Sequence, residues 1–221
     1  MKKYDLHLHT NCSKCSTDNP AKLLKRAKKK GLNGIAITDH NQIRGALKVA
    51  DLNTDPEFEV IIGEEVMTDQ GEILVYYVKE KIKPGKYEDV IREVRKQGAV
   101  CSVAHPFTGG GRVGIDPDFF RKLPRKLLPD AIETFNGRLL SNEANKKAKK
   151  LAEELGLAQT GGSDGHFFLE TGVGHTSFHG KLIDALKNKK TSVSGKAKWP
   201  SLHRSLSRFV KFLKRVLKRV F

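Results

Sequence analysis

The sequence predicts an α/β fold with a largely parallel sheet of about seven strands, a number that suits a small barrel better than an open sheet. Three observations lead there. Short apolar, β-rich runs alternate with segments of helical spacing. Those helical segments carry start and stop signals, several of them ending at a glycine. The 221 residues, 38% of them hydrophobic, suffice for one sizeable core.

The elements follow in order. The first strand reads "DLHLHT" from Asp5, and strict alternation would put Asp5, His7 and His9 on one face and Tyr4, Leu6 and Leu8 on the other. "NPAKLLKRAKKKG" is a helix with Pro20 at its first position and Gly31 just past its end. "GIAIT" from Gly34, "EVIIG" from Glu59 and "EILVYYV" from Glu72 are buried strands. "YEDVIREVRKQG" is a helix stopping at Gly98, followed by the strands "AVCSVA" from Ala99 and "DAIETF" from Asp130. "SNEANKKAKKLAEELG" opens on Ser141 as a cap, stops at Gly156, and leads into the strand "LAQTG" from Leu157. "TSVSGKAKWPS" reads as a linker, which divides the chain into a main domain over 1–190 and a basic linker with an amphipathic C-terminal helix over 191–221.

Charge separates the same two parts. The net charge is +16; nine of the cations and none of the acids lie from Lys196 onward, leaving the first 195 residues at +7. The tail forms an amphipathic helix with Leu206, Phe209, Val210, Leu213, Val216, Leu217 and Val220 on one face, and Arg208, Lys211, Lys214, Arg215, Lys218 and Arg219 on the other. Such a helix packs on the body, lies on an anionic membrane surface, or presents its charges to nucleic acid. Because no stretch is apolar enough for a membrane span or a signal peptide, the expected location is cytoplasmic, peripheral to the membrane if the helix binds lipid. Cys12, Cys15 and Cys101 are too few for a disulfide framework, and Cys12 and Cys15 read as ordinary loop thiols.

Five polar clusters each follow an apolar run or lie on the first strand: Asp5, His7 and His9; Asp39 and His40; Glu64 and Glu65; His105; Asp164 and His166. In a parallel α/β fold the carboxyl ends of the strands emerge on one side, so these residues converge. Taken singly, each has a bland reading as a cap, turn or packed histidine. Taken together, imidazoles and carboxylates without a thiolate form the ligand chemistry of zinc, manganese or iron at a hydrolytic centre.

The ordered set "DLHLHT", "ITDHN", "GEE", "AHP" and "GSDGH" resembles the PHP family, named for polymerase and histidinol phosphatase, from Tyr4 to about Phe178. The resemblance implies a distorted seven-stranded β/α barrel, with two or three divalent cations at its mouth and hydrolysis of phosphate esters by attack of a hydroxide formed at paired metals. By motif, His7, His9, Glu65 and Asp164 would hold one metal with Glu65 as a bridge, His40 and His166 a second, and His105 would belong to a third. Asp5 and Asp39 would orient ligand imidazoles. Two departures stand out: Lys14 occupies the place of a loop aspartate, with Asp18 a displaced candidate, and "GEILVYY" lacks a histidine for the third metal. Arg112 and Arg138 are candidates to clamp a substrate phosphate and equally read as surface arginines. The expected partner is a small phosphomonoester or a nucleotide. For that small-substrate hydrolase, deletion of Lys196–Phe221 is expected to leave turnover largely intact; the alternatives are a nuclease that uses the basic tail to hold RNA or DNA and a metal-free binding module.

Overall fold

The computed structural model describes residues 1–107, 115–139, 142–167, 169–196 and 200–220, and the side chains of 200–204 and 217–220 are outside that description. Arg112 and the cap Ser141 therefore lie outside the described residues.

Among the described residues, nine strands form one sheet that nearly closes on itself. They are β1 (Lys2–Leu8), β2 (Gly34–Ile37), β3 (Glu59–Thr68), β4 (Gly71–Tyr76), β5 (Val100–Val103), β6 (Ala131–Asn136), β7 (Ala158–Gly162), β8 (Gly174–Phe178) and β9 (Thr191–Gly195), in the order β7-β6-β5-β4-β3-β2-β1-β8-β9. At the mouth the segment after β7 meets β1, where His9 N–H donates to Gly165 O at 2.9 Å and Gly165 N–H to His7 O at 3.3 Å. A Cβ on Gly162 would stand 2.7 Å from the His7 backbone nitrogen, so only glycine permits this approach.

The helices α1 (Pro20–Lys29), α2 (Arg44–Leu52), α3 (Tyr87–Lys96), α4 (Pro117–Lys122), α5 (Asn142–Glu154) and α6 (Leu182–Lys187) accompany the sheet. The punctuation of α1 and α3 matches the expectation. Asn19 Oδ1 caps Ala21 N–H at 3.0 Å, and Gly31 and Gly98 adopt the left-handed conformation past the two helix ends.

Strand count and direction depart from the seven-strand expectation. β8 and β9 were not legible as strands, and Thr191–Gly195, taken above as the start of a linker, pairs with β8. β4 runs antiparallel to both neighbours because only Asp69 and Gln70 separate it from β3, and two residues admit a hairpin but no crossover helix. Parallel pairing is confined to β1-β2-β3 and β5-β6-β7.

Inside the sheet, apolar and polar groups stack in layers. Leu6, Ala36, Ile61, Leu74, Tyr76, Val100, Ala131 and Ala158 fill the lower interior. Outside, Leu8, Ile35 and Ile37 pack on Leu23, Ala27, Ala46 and Val49 of α1 and α2. β1 carries a bulge between Asp5 and Leu8, which changes the facing of its side chains. Leu6 therefore faces inward and Leu8 outward, while Asp5, paired with Ile35, lies on the helix side. His7 and His9 point into the mouth, and strict alternation from Asp5 to His9 does not hold.

The last helix, α7 (Pro200–Val220), crosses the rim of the mouth. Ser207 is buried against Arg138, and Lys214 Nζ donates to the carbonyls of Asn11, Ser13 and Ser16 at 3.2, 3.0 and 2.6 Å. The apolar row Leu206, Phe209, Leu213 and Val216 remains exposed. The side facing the body is thus its Ser207–Val210–Lys214 seam, not the apolar face. No described helix is long and apolar enough to cross a membrane.

Candidate metal centre

Polar side chains replace apolar ones in the upper interior, and they are almost fully buried. His7 Nε2 lies 3.1 Å from His9 Nε2, 3.4 Å from Glu65 Oε1 and 3.6 Å from Asp164 Oδ1. His9 Nε2 lies 3.4 Å from Glu65 Oε2 and from Asp164 Oδ1. Ligands about 2.0–2.1 Å from a tetrahedral cation stand about 3.3 Å apart, a spacing that His7, His9 and Glu65 approach, with Asp164 beside both imidazoles. The donor chemistry agrees: His7 Nδ1 faces Glu133 Oε1 at 2.9 Å, which places its hydrogen there and leaves the Nε2 lone pair for the centre.

Glu65 joins this group to the rest. Its Oε2 is 2.8 Å from His40 Nδ1 and its Oε1 is 3.0 Å from His105 Nε2. Glu72 reaches the same two imidazoles, 3.5 Å from each. The strand that lacks a histidine thus supplies a carboxylate. Glu72 opens an antiparallel strand, so it enters the mouth from a strand's beginning, where a search of strand ends does not look. His166 completes the set: its ring packs 4.3 Å from that of His9, centroid to centroid, and its Nδ1 donates to Asp164 O at 2.8 Å. His105 and Asp164 hold left-handed backbone conformations, at φ 28° and 53°, a strain that tertiary contacts must maintain.

The charges balance locally. Burial opposes protonation of His7, but Glu133, Asp164 and Glu65 outweigh it and raise its pKa well above the usual value. His40 is raised in the same way, chiefly by Glu65. Burial would push the Glu65 carboxyl up, yet His40 and His7 hold it well below the usual range. His9 is lowered by burial, and His166 by burial together with His9 and Arg138. His7 and His40 would have to be unprotonated at the ligating nitrogen to hold a cation here, so metal binding would compete with protons at this site.

The neighbouring acids do different work from that expected. Asp5 accepts hydrogen bonds from Ser163 N–H, Ser163 Oγ–H and Gly172 N–H at 2.9, 2.6 and 2.8 Å and touches no imidazole, because the bulge turns it outward. Burial pushes its pKa up to about 6. Asp39 binds Thr10 and Ser13, and Ser13 Oγ lies 3.5 Å from His9 Nδ1, so it acts on that ring only through the hydroxyl. The group that does orient an imidazole is Glu133, which sequence reading passed over; a lone carboxylate in the apolar run "DAIETF" was its signal. Arg138 is 3% exposed beneath α7, between Ser207 and Glu170, and is not an open phosphate clamp.

Glu64 faces away from the centre and accepts Ile82 N–H at 2.9 Å. Burial pushes its pKa up to about 7, from 4.5. The folded state therefore holds this proton more tightly than the unfolded chain, and stability declines as pH rises through that interval. Glu64→Gln keeps an acceptor for Ile82 and removes the charge. It is expected to stabilise the chelator-treated protein by about 1–3 kcal/mol at pH 8 and by little at pH 4.5, measured by urea unfolding. An unchanged or lower stability at pH 8 would contradict this account.

The centre opens beside His40 into a cavity of about 770 Å³, bordered by Lys14, Arg44, Lys81 and Lys211 as well as Glu72. Its cations come from four separate segments, one of them α7.

A PHP domain model matches residues 5–170. The uncharacterized protein MJ1587 of Methanocaldococcus jannaschii is 34% identical over 168 residues, covering 69% of this chain and 95% of that protein. A second uncharacterized protein of the same organism, MJ0417, is 36% identical over 180 residues, covering 80% of this chain and 70% of its own. Among solved structures, a two-domain protein of Bacteroides vulgatus with a predicted PHP-like metal-dependent phosphoesterase superposes with a TM-score of 0.70 at 21% identity, over 88% of this chain and 64% of that one. At that identity the superposition speaks for the fold, while the domain match and the relatives above 30% identity carry the classification: the protein belongs to the PHP family.

Proposed function

We propose that the protein is a metal-dependent hydrolase of phosphate esters acting on a small phosphomonoester or nucleotide. The observation that carries this reading is the cation-rimmed cavity beside a cluster with divalent-metal geometry. Its size falls in the range of small-ligand sites, about 300–1,000 Å³. Divalent cations bound there would supply Lewis-acid charge and an activated water. The chain's own contribution is to fix their ligands and orient the substrate. Glu133 sets the His7 tautomer, Glu65 links His7, His9, His40 and His105, and Lys14, Arg44, Lys81 and Lys211 attract and orient the phosphate.

Purified protein with added zinc or manganese should turn over p-nitrophenyl phosphate or nucleotides. Salt-sensitive cleavage of a short RNA without monoester turnover would overturn the small-substrate reading in favour of the nuclease, and no bound metal with no turnover would leave the metal-free binding module.

For α7 the exposed row Leu206, Phe209, Leu213 and Val216, flanked by Arg208, Lys211 and Arg215, supports an anionic lipid surface more than nucleic acid, which has no use for an apolar stripe. Co-sedimentation with phosphatidylserine vesicles, abolished by salt, is the expected result. Equal binding to neutral vesicles would contradict it. Lys214 binds the carbonyls of Asn11, Ser13 and Ser16, which supports a coupling of the helix to the loop beside the site.

A further inference from the structure

The loop after β1 brings a sulfur to the metal centre. Cys15 Sγ lies 3.1 Å from His166 Nε2, and Cys15 and His40 line the same cavity. The His166 Nδ1 hydrogen is committed to Asp164 O, so the Nε2 lone pair faces the sulfur. His9, His40 and His166 independently converge, with ring nitrogens within 4.8 Å of one another. The loop that delivers the thiol is pinned on several sides. Ser16 Oγ–H donates to His166 O at 2.7 Å, Thr17 N–H donates to the same carbonyl at 3.3 Å, and Lys214 binds three of the loop's own carbonyls. Asp18, the displaced candidate, is buried beside Glu170. Lys14 borders the cavity instead.

We propose that Cys15, as the thiolate, is a ligand of the cation held by His40 and His166, which makes this second site a mixed nitrogen–sulfur site that selects zinc over manganese. The proposal rests on the metal-centre reading above and adds to it a ligand that corrects the reading of Cys15 as an ordinary thiol. Thiolate is a soft donor that favours zinc and disfavours manganese and magnesium, whereas the His7, His9, Glu65 and Asp164 set has no such preference. Binding breaks the S–H bond, forms a metal–sulfur bond and releases the proton to solvent. Cys12 borders the same cavity, but no histidine contacts it; its N–H donates to Thr10 Oγ1 and its carbonyl accepts from Gln42.

The test is cobalt(II) substitution of the full chain, read by absorption, beside zinc content by elemental analysis. Wild-type protein and Cys12→Ser should show a near-ultraviolet sulfur-to-cobalt charge-transfer band. Cys15→Ser should lose the band and about one zinc per chain, with its far-ultraviolet dichroism unchanged. Cys15→Asp, which restores an anionic ligand, should recover the metal count without the band and should shift preference toward manganese. A band that survives in Cys15→Ser, or disappears in Cys12→Ser, overturns the proposal while the metal reading stands. Wild-type protein that takes up neither metal sinks both.

Discussion

Glu65→Gln is expected to empty most of the metal centre and lower phosphoesterase turnover by on the order of 10³-fold, the scale on which a single charge-stabilising group acts. Its two oxygens reach His7, His9, His40 and His105 within 3.4 Å. Glutamine keeps the volume, but its amide offers one acceptor and no charge, so the group that links the imidazoles is lost. His40 loses the main anion that raises its pKa and His7 loses one of three, which weakens the electrostatic match to a divalent cation. Elemental analysis and p-nitrophenyl phosphate hydrolysis check this together. A variant with wild-type metal content and turnover would remove Glu65 from the ligand set.

Glu133→Gln should cost about 10–100-fold in zinc affinity although Glu133 touches no cation site directly. One Glu133 oxygen accepts from His7 Nδ1–H, and the other accepts from His105 N–H and Asn136 Nδ2–H at 2.8 and 3.0 Å. Glutamine supplies one acceptor for these two sets of donors. If its oxygen serves His105, its amide hydrogens face His7 Nδ1 and force the tautomer that carries hydrogen on Nε2, which then cannot bind metal. If its oxygen serves His7, the buried His105 N–H loses its partner, at a cost of about 1–3 kcal/mol, and His105 sits in a conformation that needs support. Chelator competition measures the affinity. Wild-type zinc affinity in this variant would remove Glu133 from the account of the site.

Much of the centre was legible without coordinates because its motifs are local. His7 and His9, two apart on a strand, must share a face wherever no bulge intervenes between them, and His40, Glu65, His105, Asp164 and His166 each follow an apolar run. Parallel strands then carry such positions to one rim. This reasoning specifies the ligand types, the α/β class and the side of the sheet that holds the site.

The remaining features depend on non-local geometry. A bulge in β1 turned Asp5 outward, and a two-residue connection reversed β4 and brought Glu72 into the mouth. Glu133 became recognisable only once the fold placed it against His7, 126 residues away in the chain. Arg138 was covered by α7, and the Asn11–Ser16 loop delivered Cys15 to His166. A bulge, a reversed strand and a folded loop are each stabilised by contacts between segments distant in the chain. Residue identity and local spacing therefore determined which donors this protein carries, and tertiary packing alone decided which of them meet.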